Sequence, residues 1–197
     1  MCEADLQALI RLMPPPTGAG DEVDWAAAEA EIGTRLPADY RAFISVYGGG
    51  SIGHDLNVLL PRPAPGPQWE QPGLTDETAT LRLNWRHSLN RAGLDLDEND
   101  LLSWGIGSSQ PDQLGWVTID PDPQRWPVLA HPRHVNYREP SWQLHDCGMV
   151  TFLLRLLRAE LARCPLSGTA LWGRPAPFVH WREQQRRTTA TPPWCSG

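Results

Sequence analysis

The run His145-Asp146-Cys147 holds the residue types of a thiol nucleophile with its base. A base activates a thiol across space, and consecutive residues point in different directions, so adjacency in sequence is a poor sign of a working pair. Cys147 also opens an apolar run, where a helix N-terminus would lower a thiol pKa and where a small packed residue is equally at home. His131-Pro132-Arg133-His134 offers two metal ligands, but no third is placed by the sequence and Pro132 breaks helical spacing. Asp95-Leu96-Asp97-Glu98-Asn99-Asp100 begins like a calcium loop, yet Asp100 stands where that loop needs Gly and Ile106 where it needs Glu. Capping and turn chemistry explain it better. Gly105-Ile106-Gly107-Ser108-Ser109 does not set a Ser between alternate glycines, as a nucleophile elbow requires. The sequence thus assigns no catalytic residue, no metal site and no cofactor.

Surface chemistry is the remaining option. Asp112, Asp120 and Asp122 lie in predicted turns, with Trp116 between them. They are either solvated turn residues or an acidic contact rim for a basic partner, with Trp116 as its anchor. The chain has 10 Trp, most of them predicted in the core and a minority at an interface.

Regular elements must position these groups. Ala4 to Met13 reads as a short helix stopped by MPPPTGAGD and lying on the periphery as an arm. Asp24 can cap a helix carrying Trp25, Ala28 and Ile32 on one face, closed by Gly33 in the left-handed conformation. Leu36-Pro37 opens another, in which Tyr40, Phe43, Ile44 and Tyr47 share one apolar arc and Gly48-Gly49-Gly50 ends it. Ile52 to Leu60 reads as a strand, followed by a Pro-rich loop over 61–73. Asp76 to Ala92 is a predicted helix with Leu81, Trp85 and Leu89 on one side. Leu101 to Ile106, Leu114 to Asp120 and Pro127 to His131 read as three strands separated by turn chemistry. Cys147 to Arg163 is a densely apolar helix expected to pack on that sheet, and the end of the tail is predicted to be poorly ordered.

The 197 residues suit one domain with an appendage. All 17 basic residues are Arg, since the chain contains no Lys. That excludes a Walker phosphate loop, a protein kinase and Schiff-base chemistry, each of which needs a Lys. Residues 1–173 hold 13 Arg against 22 acids, net -9, and residues 174–197 hold 4 Arg against Glu183, net +3. Such a body argues against direct nucleic-acid binding. Cys2, Cys147, Cys164 and Cys195 form no CxxC pair, so reduced thiols are expected. No basic leader with an apolar core opens the chain and no stretch suits a membrane span, so a cytoplasmic location away from membranes is expected.

The stretch WAAAEAEIGTRLPADYRAFISVYGGGSI, Trp25 to Ile52, resembles the signature of the SUKH superfamily, the Smi/Knr-type domain. The matching positions are Trp25, Gly33, Leu36, Pro37, Tyr40, Phe43, Tyr47, Gly48 and Gly49. LLSWGIGSSQPDQLGWVTID, Leu101 to Asp120, is similar to the family's pair of strands around a Gly and an Asp, with Trp104, Asp112 and Trp116 in place. Trp126 and the Met149 to Leu157 stretch continue the likeness. The resemblance implies an α+β fold with a central, mostly antiparallel sheet packed by N-terminal helices and a C-terminal helix. It would span 24–165, between an arm at 1–23 and an extension at 166–197, and the motif positions would be structural. It further implies no enzyme but a protein-binding domain, as in bacterial immunity proteins that neutralise toxin domains, often nucleases. The partner expected here is a basic toxin domain. A regulatory or scaffold module of the same superfamily and a thiol hydrolase are the alternatives.

Overall fold

The computed structural model describes residues 2–62, 72–91, 93–133 and 141–190. Most of the Pro-rich loop, His134, Cys195 and the tail beyond 190 lie outside those residues, and the side chain of Cys2 is not described. The first helix, α1 (Cys2–Leu12), is followed by α2 (Trp25–Ile32) and α3 (Ala38–Tyr47). Asp24 caps α2 by accepting from the Ala27 N–H at 3.0 Å, and Gly33 closes it at φ 84°. Pro37 sets the entry to α3 with its fixed φ. Tyr40, Phe43, Ile44 and Tyr47 are all fully buried, each contributing roughly 1.5–3 kcal/mol by its removal from water.

Next come β1 (Gly50–Ile52), β2 (Leu56–Val58) and α4 (Leu74–His87). The single strand expected over Ile52 to Leu60 is instead a hairpin, because Gly53 adopts φ 60° and turns the chain. Helix α4 stops earlier than expected. Ser88 takes an extended conformation, the chain folds back so that Leu96 O accepts from the Trp85 indole at 3.2 Å, and Leu89 is left fully exposed. A 3-10 turn at Glu98–Asp100 leads into β3 (Leu101–Gly107) and β4 (Gln113–Val117), and a second at Pro123–Arg125 leads to β5 (Val128–His131).

β6 (Gln143–His145) precedes α5 (Met149–Leu157), and the described chain ends with β7 (Phe178–His180) and α6 (Trp181–Ala190). Helix α5 is shorter than the predicted Cys147 to Arg163. Ala159 turns at φ 55°, and Gly173 and Glu160 supply N–H donors to the carbonyls of Leu156 and Arg155 at 3.1 and 2.8 Å, ending the helical ladder.

The seven strands form one sheet in the order β6-β5-β4-β3-β2-β1-β7, every pair antiparallel. The fold is therefore α+β, as expected. Period-two alternation sends Leu102, Trp104, Leu114, Trp116, Val128 and Ala130 to one face, where they join the buried residues of α1, α3 and α5. The other face buries Leu101, Val117 and Leu129 against Leu81, Trp85 and Trp142. Leu6, Leu9 and Met13 belong to the larger core, so the stretch read as a peripheral arm is packed on the body. At the other terminus, β7 completes the sheet beside β1.

Candidate functional site

Two neighbouring features of the sheet end at the start of β3 and the finish of β4 are candidates for function. The first is an acidic surface. Asp97 caps its 3-10 turn through the Asn99 N–H at 2.8 Å, and Thr118 N–H donates to Asp100 O at 2.7 Å, which joins the two loops. Asp120 accepts from the Asp122 N–H at 2.9 Å and Asp122 from the Gln124 N–H at 3.1 Å. Asp122 and Asp97 are exposed and Asp120 is half-buried. Ile119, next to Asp120 in this loop, stands 59% exposed.

The other two interface candidates are not surface groups. Trp116 is fully buried, because it alternates onto the inner face beside Leu114 and meets Tyr40 edge-on at 5.3 Å. Asp112, only 3% exposed, clamps three segments: it accepts from the backbone N–H of Arg133 at 3.0 Å and of Ser167 at 2.8 Å, and from the Ser167 hydroxyl. Covering residues 55 positions away in sequence hide it.

The second feature is a cleft of about 800 Å³ bounded by the start of α3, the Pro123–Arg125 turn and α5. Gln124 accepts from the Ala38 N–H at 3.0 Å and so fixes the turn against α3. Asp39, 7% exposed, reaches across to α5: its carboxylate accepts from the N–H groups of Tyr40 at 2.8 Å and Val150 at 3.1 Å. A carboxylate at a helix start satisfies orphan donors and favours the dipole. Burial nonetheless outweighs these hydrogen bonds and pushes the Asp39 pKa up. A Cβ on Gly148 would lie 2.5 Å from Asp39 Oδ2, so any side chain there would push the Asp39 carboxylate off its hydrogen bonds.

Cys147 and Asp146 also line the cleft. Burial pushes the Cys147 thiol up, opposite to the need of a nucleophile. The His145 ring packs on Phe152 at 5.1 Å, its Nε2 has no hydrogen-bond partner among the described residues, and burial holds its pKa down to about 4. His131 stacks on Trp142, ring centroids 3.9 Å apart and planes 6° apart. The first six residues of the calcium-loop look-alike form a turn capped by Asp97.

Most motif residues are fastened by hydrogen bonds or packing. The Tyr40 hydroxyl donates to Leu59 O at 2.7 Å, the Tyr47 hydroxyl to Met13 O at 2.6 Å, and the Trp104 and Trp126 indoles to Gly115 O at 3.1 Å and Asp120 O at 2.7 Å. Trp25 stacks edge-on with Tyr40 and under Arg41, while Phe43 stacks on Tyr47 at 4.6 Å. Leu36 is buried, Gly48 N–H closes α3 on Ile44 O at 2.8 Å, and Gly49 donates to Asp21 at 2.9 Å. Asp21 and Asp39 were not legible in the sequence as site residues, since the groups they bind lie far along the chain.

Among the described residues no helix is long and apolar enough to cross a membrane. No curated protein and no solved structure matches the chain. The model of the SMI1 / KNR4 family (SUKH-1) matches residues 20–126, from the turn before α2 to Trp126, and leaves β5 to α6 beyond it. With just over half of its length matched, on residues that build α2, α3, β3 and β4, the chain belongs to the SMI1 / KNR4 family (SUKH-1).

Proposed function

We propose that this protein is a non-catalytic binding domain of the immunity type, which docks a basic toxin domain on the acidic sheet end and blocks it. The observation that carries the reading is Ile119, 59% exposed beside Asp120 and Asp122 in a loop that Thr118 fastens to the turn capped by Asp97. An apolar group beside charged ones suits a partner that is steered by charge and then excludes water. The net charge of -9 over residues 1–173 supports that steering for a basic partner. Family membership supports an immunity or regulatory class. The raised thiol pKa of Cys147 weighs against thiol hydrolysis. Cys147 and Cys164 are free thiols, which suits work in a reducing cytoplasm.

The test is affinity capture of the tagged protein from its own host across a salt series, with mass spectrometry of what stays bound. One stoichiometric basic protein is expected, toxic when expressed alone and harmless beside this chain. A set of envelope-assembly or other housekeeping proteins would replace the reading with a regulatory module, and the absence of any partner would remove it.

A further inference from the structure

We propose that the outer edge of β7 takes an acidic, extended peptide segment of a partner protein as an eighth strand of the sheet. Bonded pairs in an antiparallel ladder recur at every second residue. Gly53 N–H donates to Pro177 O at 2.8 Å and Trp181 N–H to Gly49 O at 3.1 Å, so Val179, midway between them, turns its N–H and C=O toward Ser51 of β1. Phe178 and His180 therefore turn theirs away from β1. Among the described residues, the turn and loop bonds leave the Phe178 N–H and C=O and the His180 N–H without a backbone partner. An edge of this kind accepts an added strand through main-chain hydrogen bonds.

The groove beside that edge gives the chemistry of the partner. It has a volume of about 290 Å³ and is bounded by Phe178, Val179 and His180, by residues 16–18, and by the first turns of α6. Arg182, Arg186 and Arg187 line it against one carboxylate, Glu183. Arg186 and Arg187 share that carboxylate at 3.2 and 3.0 Å, and Arg182 reaches back to Asp21. Arg174, exposed, lies four residues before Phe178 in the chain. Residues 174–197 thus hold net +3 beside a body of net -9. Charges farther off than about 8–10 Å are largely screened at physiological salt, so the arginines at the groove decide which segment is favoured. An acidic segment sets its carboxylates against them while its backbone pairs with β7. By the same register the opposite edge, β6, turns only Leu144 outward and runs on into Asp146, which repels such a segment.

The test is a ¹H–¹⁵N titration of the full chain with the peptide acetyl-Glu-Val-Glu-Val-Glu-amide, followed at the Phe178 and His180 amides. The controls are acetyl-Lys-Val-Lys-Val-Lys-amide and the acidic peptide methylated on every backbone nitrogen. A saturable shift of both amides, with slower hydrogen exchange there, is expected with the acidic peptide and with neither control. Arg186→Gln combined with Arg187→Gln changes two exposed side chains whose ion pairs add little stability, and should weaken the apparent affinity about tenfold. No saturable shift at millimolar peptide, an equal response to either control, or an affinity that the double variant leaves unchanged overturns the proposal. A shift that follows protein concentration without peptide also overturns it and assigns the edge to a second copy of the chain. The acidic sheet end takes no part in these measurements, so the docking reading is judged separately.

Discussion

Asp21 and His180 stand 159 residues apart in the chain and 3.1 Å apart in the fold. His180 Nδ1 accepts from the Arg182 N–H at 3.2 Å, which leaves Nε2 to donate to the carboxylate. Asp21 also accepts from the Gly49 N–H, the Trp181 indole and the Arg182 guanidinium at 2.9, 3.0 and 2.6 Å. One buried carboxylate therefore ties the turn after α3 to β7 and α6.

Asp21→Ala should cost about 3 kcal/mol, because it strands several buried donors at once. Urea unfolding at neutral pH measures it. Burial pushes the Asp21 pKa up, but the hydrogen bonds from His180, Gly49 and Trp181 outweigh burial and hold it below 3.8. Its contribution is thus complete above the unfolded value and lost as pH falls through the lower folded one. A wild-type advantage over Asp21→Ala that grows on acidification below 3.8 would contradict this assignment.

Phe178 packs edge-on against both rings of the Phe43–Tyr47 stack, at centroid distances of 5.9 and 5.2 Å, and is 4% exposed. Phe178→Ala should destabilise by about 3–5 kcal/mol. The loss should appear in hydrogen exchange as faster opening across β1 and β7, whose partners are Gly50 with His180 and Ile52 with Phe178.

Burial, with a smaller effect of Arg133, holds the His131 pKa down to about 4, against 6.5 for the free side chain. The folded state then binds fewer protons than the unfolded one between those values. Stability is present in full above 6.5 and lost as pH falls toward about 4. His131→Phe keeps a flat ring against Trp142 and cannot titrate. Between neutral pH and about pH 4.5 the wild type should lose roughly 2–3 kcal/mol that the variant retains, seen as a smaller fall in thermal midpoint.

Replacing Asp120 and Asp122 by Asn keeps the acceptors that shape the Pro123–Arg125 turn while removing charge. Combined with Ile119→Ser, it should slow association with a captured basic partner about tenfold at low salt and flatten the salt dependence. Unaltered rates would place the contact elsewhere.

Helices α2 and α3 were legible because caps and apolar spacing agree there: Asp24, Gly33, Pro37 and the Tyr40 to Tyr47 arc act as their types predict. The three central strands were legible for the same reason. β6 and β7 were not, since three residues hold too little alternation to register and β7 follows the Pro-rich run RPAP. Leu89 fits the apolar side of α4 by spacing, but the helix ends at His87 and leaves it in solvent. Asp112 has turn chemistry in the sequence, and only the tertiary fold brings Ser167 over it. Trp116 fails as a surface anchor because its neighbours on the inner face come from α3 and from two other parts of the chain.

The placement of β7 also bears on how the protein is made. β1 is complete by residue 52, yet its outer edge stays open until residue 180 has been synthesised. At ribosomal speeds of about 5–20 residues per second, the nascent chain carries an uncovered strand edge and the aromatic side chains of Phe43 and Tyr47 for several seconds. Pairing across so long a separation also adds a late, slow step to folding. The nascent chain is therefore at its most aggregation-prone during that interval, and a codon change or truncation that delays residues 178–182 would lengthen it without altering one contact of the finished molecule.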